Sequence, residues 1–394
     1  MSGGTRSFEI AKRLVSAGHD VNLITSWREP TNKVDWFESN ERGIKVFWLP
    51  NLYSNEMSFM KRVLSFLRFS LKASKKACSM NNVDIIFASS TPLTIAIPAL
   101  ITSKLKKIPM VFEVRDLWPS VPIAMGILKN PIGIFFAKLL EITAYKNSQH
   151  IIALAPGMRD EIISLGINES KVSVVTNGCD PEFFLEKKNK AKFLKLRRSY
   201  DWLSQRKLIL FAGTLGRANG VDFLADIAKE MMKIDQEVRF LIIGDGSERE
   251  FIKKKAKSLK IFNKNFFMME SVSKDEVIDW ILTADFTTAF FSGPRILSKD
   301  GVQNKFFDSL SAGKPIACNF KGFQSEIAAE HDIGVILDLS SPRKSALQLF
   351  EKLSDSKWLR NAELSALKLA HNEFHYNKLA SRINVILNSA LKNN

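Results

Sequence analysis

The chain has 394 residues, with 57 Lys and Arg against 41 Asp and Glu, a formal net charge of +16, and 45% hydrophobic and 25% charged residues. This length suits two domains with cores of their own, and the composition excludes a disordered or collagen-like chain. Three cysteines, Cys78, Cys179 and Cys318, lack ligand spacing, so neither a disulfide framework nor a zinc site is indicated and a reduced, cytoplasmic protein is expected.

The opening MSGGTRSFEIAKRL lacks the apolar region of a secretory signal. Gly3–Gly4 precede a helical pattern over Ser7–Ala17, and the strand VNLIT follows from Val21. This is the second half of a strand–loop–helix unit, and its first strand is missing from the sequence. A translation start set too late is expected, because a central parallel strand supplies backbone partners to two neighbours. KVFWL from Lys45 is the next strand. From Phe59 to Ala77 a helix places Phe59, Val63, Leu64, Phe66, Leu67 and Leu71 on one face and Lys61, Arg68, Lys72, Lys75 and Lys76 on the other. Such a basic amphipathic helix either packs on a sheet with its cations in water or docks on anionic lipid; the two are compatible if the apolar face is buried in the protein. No run approaches the ~18 apolar residues of a spanning helix.

Strands DIIFA from Asp84, MVFEV from Met110, HIIAL from His150 and VSVVT from Val172 then alternate with helical patterns at Pro92–Leu105 and Ile134–Tyr145. The charged stretch KKNKAKFLKLRRSYDW, poor in strand signals, places a boundary near Glu186–Arg206. Beyond it LILFAGT from Leu208, VRFLIIG from Val238, ADFTTAF from Ala284, KPIACN from Lys314 and GVILDL from Gly334 restart the alternation. The expectation is an α/β protein of two doubly wound domains, residues 1–186 and 207–355, joined by a linker at 187–206. A cleft is expected between their strand ends, with C-terminal helices at 356–394 able to cross back.

The positive charge is uneven. Residues 51–200 carry 22 cationic against 11 anionic side chains, a balance of +11, and residues 201–350 carry 21 against 20, a balance of +1. A basic excess can serve nucleic acid, an anionic membrane or phosphorylated substrates.

Three glycine elements could hold phosphate or a base: Gly3–Gly4, FAGTLGRANG from Phe211, and IIGDGSERE from Ile242 with Gly244, Asp245 and Gly246. Helix starts offer free N–H groups and a positive dipole to an anion, although each element also suits a plain turn. In QNKFFDSLSAGKP, Lys305 and Asp308 share a helix face, where they could grip a diphosphate and a ribose diol or form an ordinary ion pair. Gly313 should end that helix. Glu113, Arg115 and Asp116 close an otherwise apolar strand, a position that favours function over packing. HNEFH at His371–His375 sets two imidazoles on one helix face with no third ligand evident, and reads as a surface pair.

The segments VFEVRDLWPSVPIAMGIL, VVTNGCDPEFF, FAGTLGRANGVDFL, IIGDGSERE and NKFFDSLSAGKP occur in one order. In that order the chain resembles the retaining GT-B glycosyltransferases of family 4, in particular the O-antigen, capsule and colanic acid branch with its L-fucosaminyltransferase-like members. The resemblance implies two Rossmann-like domains facing across a cleft. It also implies a nucleotide-sugar co-substrate, UDP-linked, bound mainly by the C-terminal domain, and an undecaprenyl-diphosphate-linked acceptor bound mainly by the N-terminal one. The expected place is the cytoplasmic face of an anionic inner membrane, with no metal, no cofactor and no nucleic acid partner.

Residue by residue, the resemblance assigns Asp116 as first candidate to orient or deprotonate the acceptor hydroxyl and Glu113 as second, with Arg115 where the family often has a histidine. Donor binding falls to Gly3, Gly4, Gly213, Thr214, Arg217, Asn219, Gly244, Asp245, Gly246, Arg295, Lys305 and Asp308. Of two glutamates the family often spaces seven residues apart, the second is Asp308 and the first is Gly301; the usual phosphate-binding Arg and Lys fall on Thr214 and Asn219. Arg217, Arg295 or Lys305 must then supply the charge. The competing readings are a GT-B nucleotide-sugar epimerase and a non-catalytic basic protein binding membrane or nucleic acid.

Overall fold

The computed structural model describes residues 5–51, 57 and 59–392. Gly3 and Gly4 lie outside the described residues. Two compact units form, one from Met1–Thr176 with Tyr376–Asn394 and the other from Asn177–His375.

The first unit holds β1 (Asn22–Trp27), β2 (Phe37–Glu41), β3 (Ile44–Pro50), β4 (Ile86–Ser89), β5 (Met110–Val114), β6 (His150–Ala153) and β7 (Val172–Val174). They pair as two sheets, β1-β3-β2 and β4-β5-β6-β7, parallel throughout except for β2 against β3. β2 was not anticipated. Its sequence FESNE is polar, and it is recruited by a two-residue turn at Arg42 and Gly43, both at positive φ, which folds it back on β3. No pairing joins β1 to β4. A cavity of about 320 Å³ lies between them, lined by Leu23 and Ile24 on one side and Ile86, Phe87 and Ala88 on the other. Over the sheet, Ile10 and Leu14 of the helix Thr5–Ser16 pack with Val111 and Ile152 and with Leu379 and Ile383 of the C-terminal helix Tyr376–Lys392.

The helix Phe59–Ser79 forms, but it buries a different face from the one expected. Phe69 and Ala73 pack against Leu49 and Ile95, and Ser70 Oγ donates to Thr94 O at 2.9 Å, so small residues make the close contact. The stripe of Leu64, Leu67 and Leu71 stays exposed. Lys72 and Lys76 reach Asp35 and Glu38, while Lys61, Arg68 and Lys75 make no ion pair among the described residues.

The second unit holds β8 (Leu208–Ala212), β9 (Arg239–Ile243), β10 (Phe266–Met269), β11 (Phe286–Ala289), β12 (Ile316–Cys318) and β13 (Gly334–Ile336). All are parallel, in the order β10-β9-β8-β11-β12-β13. β8 and β9 read as continuous apolar runs because helices cover both faces. β10 escaped the sequence pattern since Phe-Phe-Met-Met has no β-branched residue. The stretch expected to be a linker belongs to this unit. Lys190–Arg198 is a helix, Phe193, Leu196, Tyr200 and Trp202 pack on its core, and Arg197 pairs with Asp285 at 2.8 Å. The units divide at Thr176–Asn177 rather than beyond Glu186.

Candidate functional site

Strand order in the second unit reverses between β8 and β11, and open α/β sheets take ligands outside the carboxyl ends of strands at such a point. The loop leaving β8 starts at Gly213 and carries its own bracing. Asn219 Nδ2 donates to Thr214 O at 2.9 Å, and the Ser292 N–H, just after β11, donates to Ala218 O at 2.8 Å. Gly220 sits at φ +53, where a Cβ would stand 2.7 Å from Ser292 Cβ.

Gly244 and Gly246 were expected to let a base approach the backbone. What approaches is the neighbouring loop. A Cβ on Gly244 would stand 1.9 Å from Gly213 O and one on Gly246 2.5 Å from Leu215 O, both glycines lying near φ +150. Backbone hydrogen bonds lock the two loops: Gly213 N–H to Ile243 O at 2.9 Å, Leu215 N–H to Asp245 O at 2.8 Å and Glu248 N–H to Leu215 O at 2.9 Å. The Asp245 side chain accepts from Gly246 N–H at 2.7 Å. Arg249 donates to Gly244 O at 2.6 Å and Met269 O at 2.8 Å, tying the ends of β9 and β10 together.

Among the cations proposed to neutralise phosphate, Lys305 is the one brought to this loop. Its Nζ lies 4.0 Å from the Phe211 ring centroid and 3.2 Å from where a Gly213 Cβ would be. Arg217 points outward, 88% exposed, 3.4 Å from Glu248, and Arg295 is an exposed residue starting the short helix Arg295–Asp300. Lys305 stands in the first turn of the helix Asn304–Ala312, which ends at Gly313 in the left-handed conformation, as expected. The helix entrance is held firmly: Gln303 N–H donates to Gln324 Oε1 at 3.1 Å, Gln324 Nε2 to Gln303 O at 2.9 Å and Asn177 Nδ2 to Asn304 Oδ1 at 2.8 Å.

Burial pushes the Lys305 ammonium down to about 7. It pushes the Asp308 carboxyl up to about 6, against the opposing charge of Lys274. No ion pair joins Lys305 and Asp308 among the described residues. Two desolvated groups of opposite charge that do not satisfy one another are poised for a ligand that supplies both an anion and hydroxyls. Gly301 offers no room for a carboxylate, since a Cβ there would lie 2.3 Å from both Leu297 O and the Phe291 ring.

In the first unit the candidate residues close β5. Ser89 ends the neighbouring β4 and donates from Oγ to Glu113 Oε2 at 2.6 Å. Glu113 is fully engaged. Arg6 donates to its Oε1 from Nε at 2.9 Å and from Nη2 at 2.8 Å, and also reaches the carbonyls of Val175, at 2.8 Å, and Thr176. Burial alone would raise the Glu113 carboxyl, but the charge and hydrogen bonds of Arg6, with the hydrogen bond from Ser89 and the charge of Arg115, hold it below the ordinary glutamate value. Both carboxylate oxygens of Glu113 are thus occupied by Arg6 and Ser89. Asp116 differs: burial raises its carboxyl above the usual aspartate value, against a 3.1 Å hydrogen bond from Thr91 Oγ1 and the charge of Arg115. Arg115 is half-buried, and its backbone N–H donates to Ser90 Oγ at 3.0 Å. Sequence reasoning missed Arg6 and Arg249, because their partners are fixed only by the fold.

Residues 3–183 match the family model described as Glycosyltransferase Family 4, and residues 206–355 match the one described as Glycosyl transferases group 1. The chain is 22% identical over 280 residues to WcaI of Escherichia coli K12, named for colanic acid biosynthesis, covering 68% of each chain. Its fold is similar to that of Anabaena Alr3699/HepE solved with UDP and glucose, with a TM-score of 0.73 and 14% identity over 99% of this chain and 97% of that one. It is similar also to WaaG, a glycosyltransferase involved in lipopolysaccharide biosynthesis, with a TM-score of 0.68 and 14% identity over 97% and 95% of the two chains.

Proposed function

We propose that the chain is a glycosyltransferase of family 4, a reading supported by the two family models that match its two halves, and that it moves a sugar, with retention, from a UDP-linked donor to a lipid-diphosphate-linked saccharide in the synthesis of a bacterial surface polysaccharide. The observation that carries the donor half is Lys305 set against Gly213 at the strand-order reversal, with Asp308 one turn along the same helix. Lys305 neutralises the diphosphate and, as the bond to the sugar breaks, the charge growing on the leaving group. Asp308 accepts from the ribose hydroxyls. The closed position at Gly301 leaves recognition of the sugar to other groups.

On the acceptor side Asp116 orients the hydroxyl or takes its proton. Its raised affinity for protons makes it a better base than an ordinary aspartate. A leaving phosphate oxygen can share this task.

A membrane-bound acceptor accords with the surface of the first unit. Leu64, Leu67 and Leu71 on one helix, and Ile132, Phe135, Phe136 and Leu139 on the helix Pro131–Asn147, are exposed by 39–67%. Both helices pack on a third, Ala96–Lys106, and the cations Lys61, Arg68, Lys75, Lys104 and Lys138 lie on these same three helices. Exposed apolar side chains and cations on the same helices suit an anionic leaflet. No helix among the described residues is long and apolar enough to cross a membrane. We take the exposed apolar and cationic side chains of these three helices to be the surface that meets the membrane.

Incubation with a panel of nucleotide sugars, with and without undecaprenyl-diphosphate-linked saccharide, tests this reading. Acceptor-dependent release of nucleotide is expected. Conversion of the donor to an isomeric nucleotide sugar without acceptor would overturn it.

A further inference from the structure

His371 and His375 lack a third ligand in the sequence, but the fold supplies one. Glu182, in the first turn of the helix Pro181–Lys187, sets one carboxylate oxygen toward each ring: Oε2 is 2.7 Å from His375 Nε2 and Oε1 is 3.4 Å from His371 Nδ1. One ligand atom from each residue can be chosen so that all three lie within 4.8 Å of one another. The two rings face each other at 6.2 Å with an interplanar angle of 23°.

The backbone beneath them is fixed. Cys179 N–H donates to Phe374 O at 2.7 Å, Cys179 and His375 form a parallel bridge, and Asp180 caps the helix that carries Glu182. His375 is buried, whereas His371 and Glu182 are open to solvent. A bound ion would therefore be held by protein on one side and reached by water on the other.

We propose that Glu182, His371 and His375 form a binding site for one divalent transition-metal cation, with zinc as its type ligand and water completing the coordination. Imidazole selects zinc, nickel or copper over magnesium and calcium, which prefer all-oxygen shells. Two imidazoles and a carboxylate leave a fourth, open position. Tetrahedral bonds of about 2.0–2.1 Å put neighbouring ligand atoms roughly 3.3 Å apart. The two contacts use different oxygens of the carboxylate, so a single oxygen serving the ion reaches tetrahedral spacing from both imidazoles by side-chain rotation, starting from separations of at most 4.8 Å.

The location gives the site a consequence. Glu182 follows the first passage of the chain between the two units, at Thr176–Asn177, and His375 immediately precedes the second, at His375–Tyr376. A metal ion here ties the two passages to each other.

Isothermal titration of the full chain with zinc chloride at pH 7.5, in excess magnesium, tests the site beside His371→Ala and Glu182→Gln. Both positions are exposed, and thermal melts followed by circular dichroism check that the variants fold. One zinc per chain is expected, bound at least tenfold more weakly by each variant, and cobalt(II) should give a visible absorption band that both variants lose. No binding, or unchanged affinity in either variant, overturns the proposal, since persistent zinc would then belong to another group such as the partly exposed Cys78.

Discussion

Lys305 Nζ lies so close to Gly213 that a Cβ on the glycine would be 3.2 Å from it, with Gly213 at φ +150. The lysine and the opening residue of the loop after β8 thus form one surface. Lys305→Ala is expected to weaken binding of a nucleoside diphosphate by roughly 10- to 100-fold, the worth of about 1.5–3 kcal/mol for a hydrogen bond to a charged group. Calorimetry with UDP measures it. Asp308→Asn should weaken UDP less, and undiminished affinity in both variants would refute the donor assignment.

The two groups also set a pH window. Lys305, pushed down to about 7, loses its charge as pH rises through that value, so affinity for the diphosphate falls above it. Asp308, pushed up to about 6, accepts from hydroxyls as a carboxylate only above that value. Donor affinity should therefore peak between roughly pH 6 and 7 and decline on both sides. The acid limb should disappear in Asp308→Asn and the alkaline limb in Lys305→Arg, whose charge does not titrate.

Arg6 and Glu113 are a buried pair, with both side chains at most 1% exposed. Arg6→Ala leaves a desolvated carboxylate and is expected to cost about 3–5 kcal/mol of stability. Glu113 has its folded pKa lowered, so the pair's contribution is complete above the unfolded glutamate value of about 4.3 and is lost as pH falls through the folded one. Denaturant melts from pH 7 to pH 3 should show a steeper acid loss in the parent than in Glu113→Gln. Equal slopes would mean that the pair does not carry the linkage.

What the sequence made legible follows from local physics. Apolar β-branched runs marked the parallel strands because these are buried on both faces, and Gly313 marked the helix end because a left-handed residue is needed there. Long-range pairings were not legible. Arg6 meets Glu113 across 107 residues and Glu182 meets His375 across 193, and nothing in either neighbourhood announces the partner. Glycine was legible as a requirement but not as a reason: Gly244 and Gly246 were read as making room for a ligand, and the atoms in that space belong to Gly213 and Leu215.

The exposed helix Pro131–Asn147 gives a prediction separable from catalysis. Phe135→Ser with Phe136→Ser should reduce sedimentation with vesicles containing anionic lipid by tenfold or more, each ring losing roughly 1.5–3 kcal/mol of burial in the bilayer. Both rings are exposed, so stability should change little, and UDP affinity should not change. Undiminished vesicle binding would remove these rings from the membrane surface.

The cavity between β1 and β4 supports the last prediction. In the second unit the order β10-β9-β8-β11-β12-β13 places the first strand of the unit, β8, in the middle of the sheet. The first unit repeats this order through β3, β1, β4, β5 and β6, with the cavity in the position corresponding to β8. The helix Thr5–Ser16 leads into β1, and Arg6 in its first turn reaches Glu113 near the end of β5 and carbonyls just beyond β7. A strand entering that helix would thus finish beside the carboxyl ends of its neighbours. It would run parallel to β1 and β4, and the helix would be its crossover to β1. An engineered extension of Val-Ile-Leu-Val-Val ahead of the glycine pair should therefore seat between β1 and β4. It should raise the melting temperature by several degrees and slow amide exchange across Leu23–Trp27 and Ile86–Ser89, whereas the same extension interrupted by proline should do neither. Unchanged exchange on both strands in the uninterrupted variant would show that the cavity does not accept a strand.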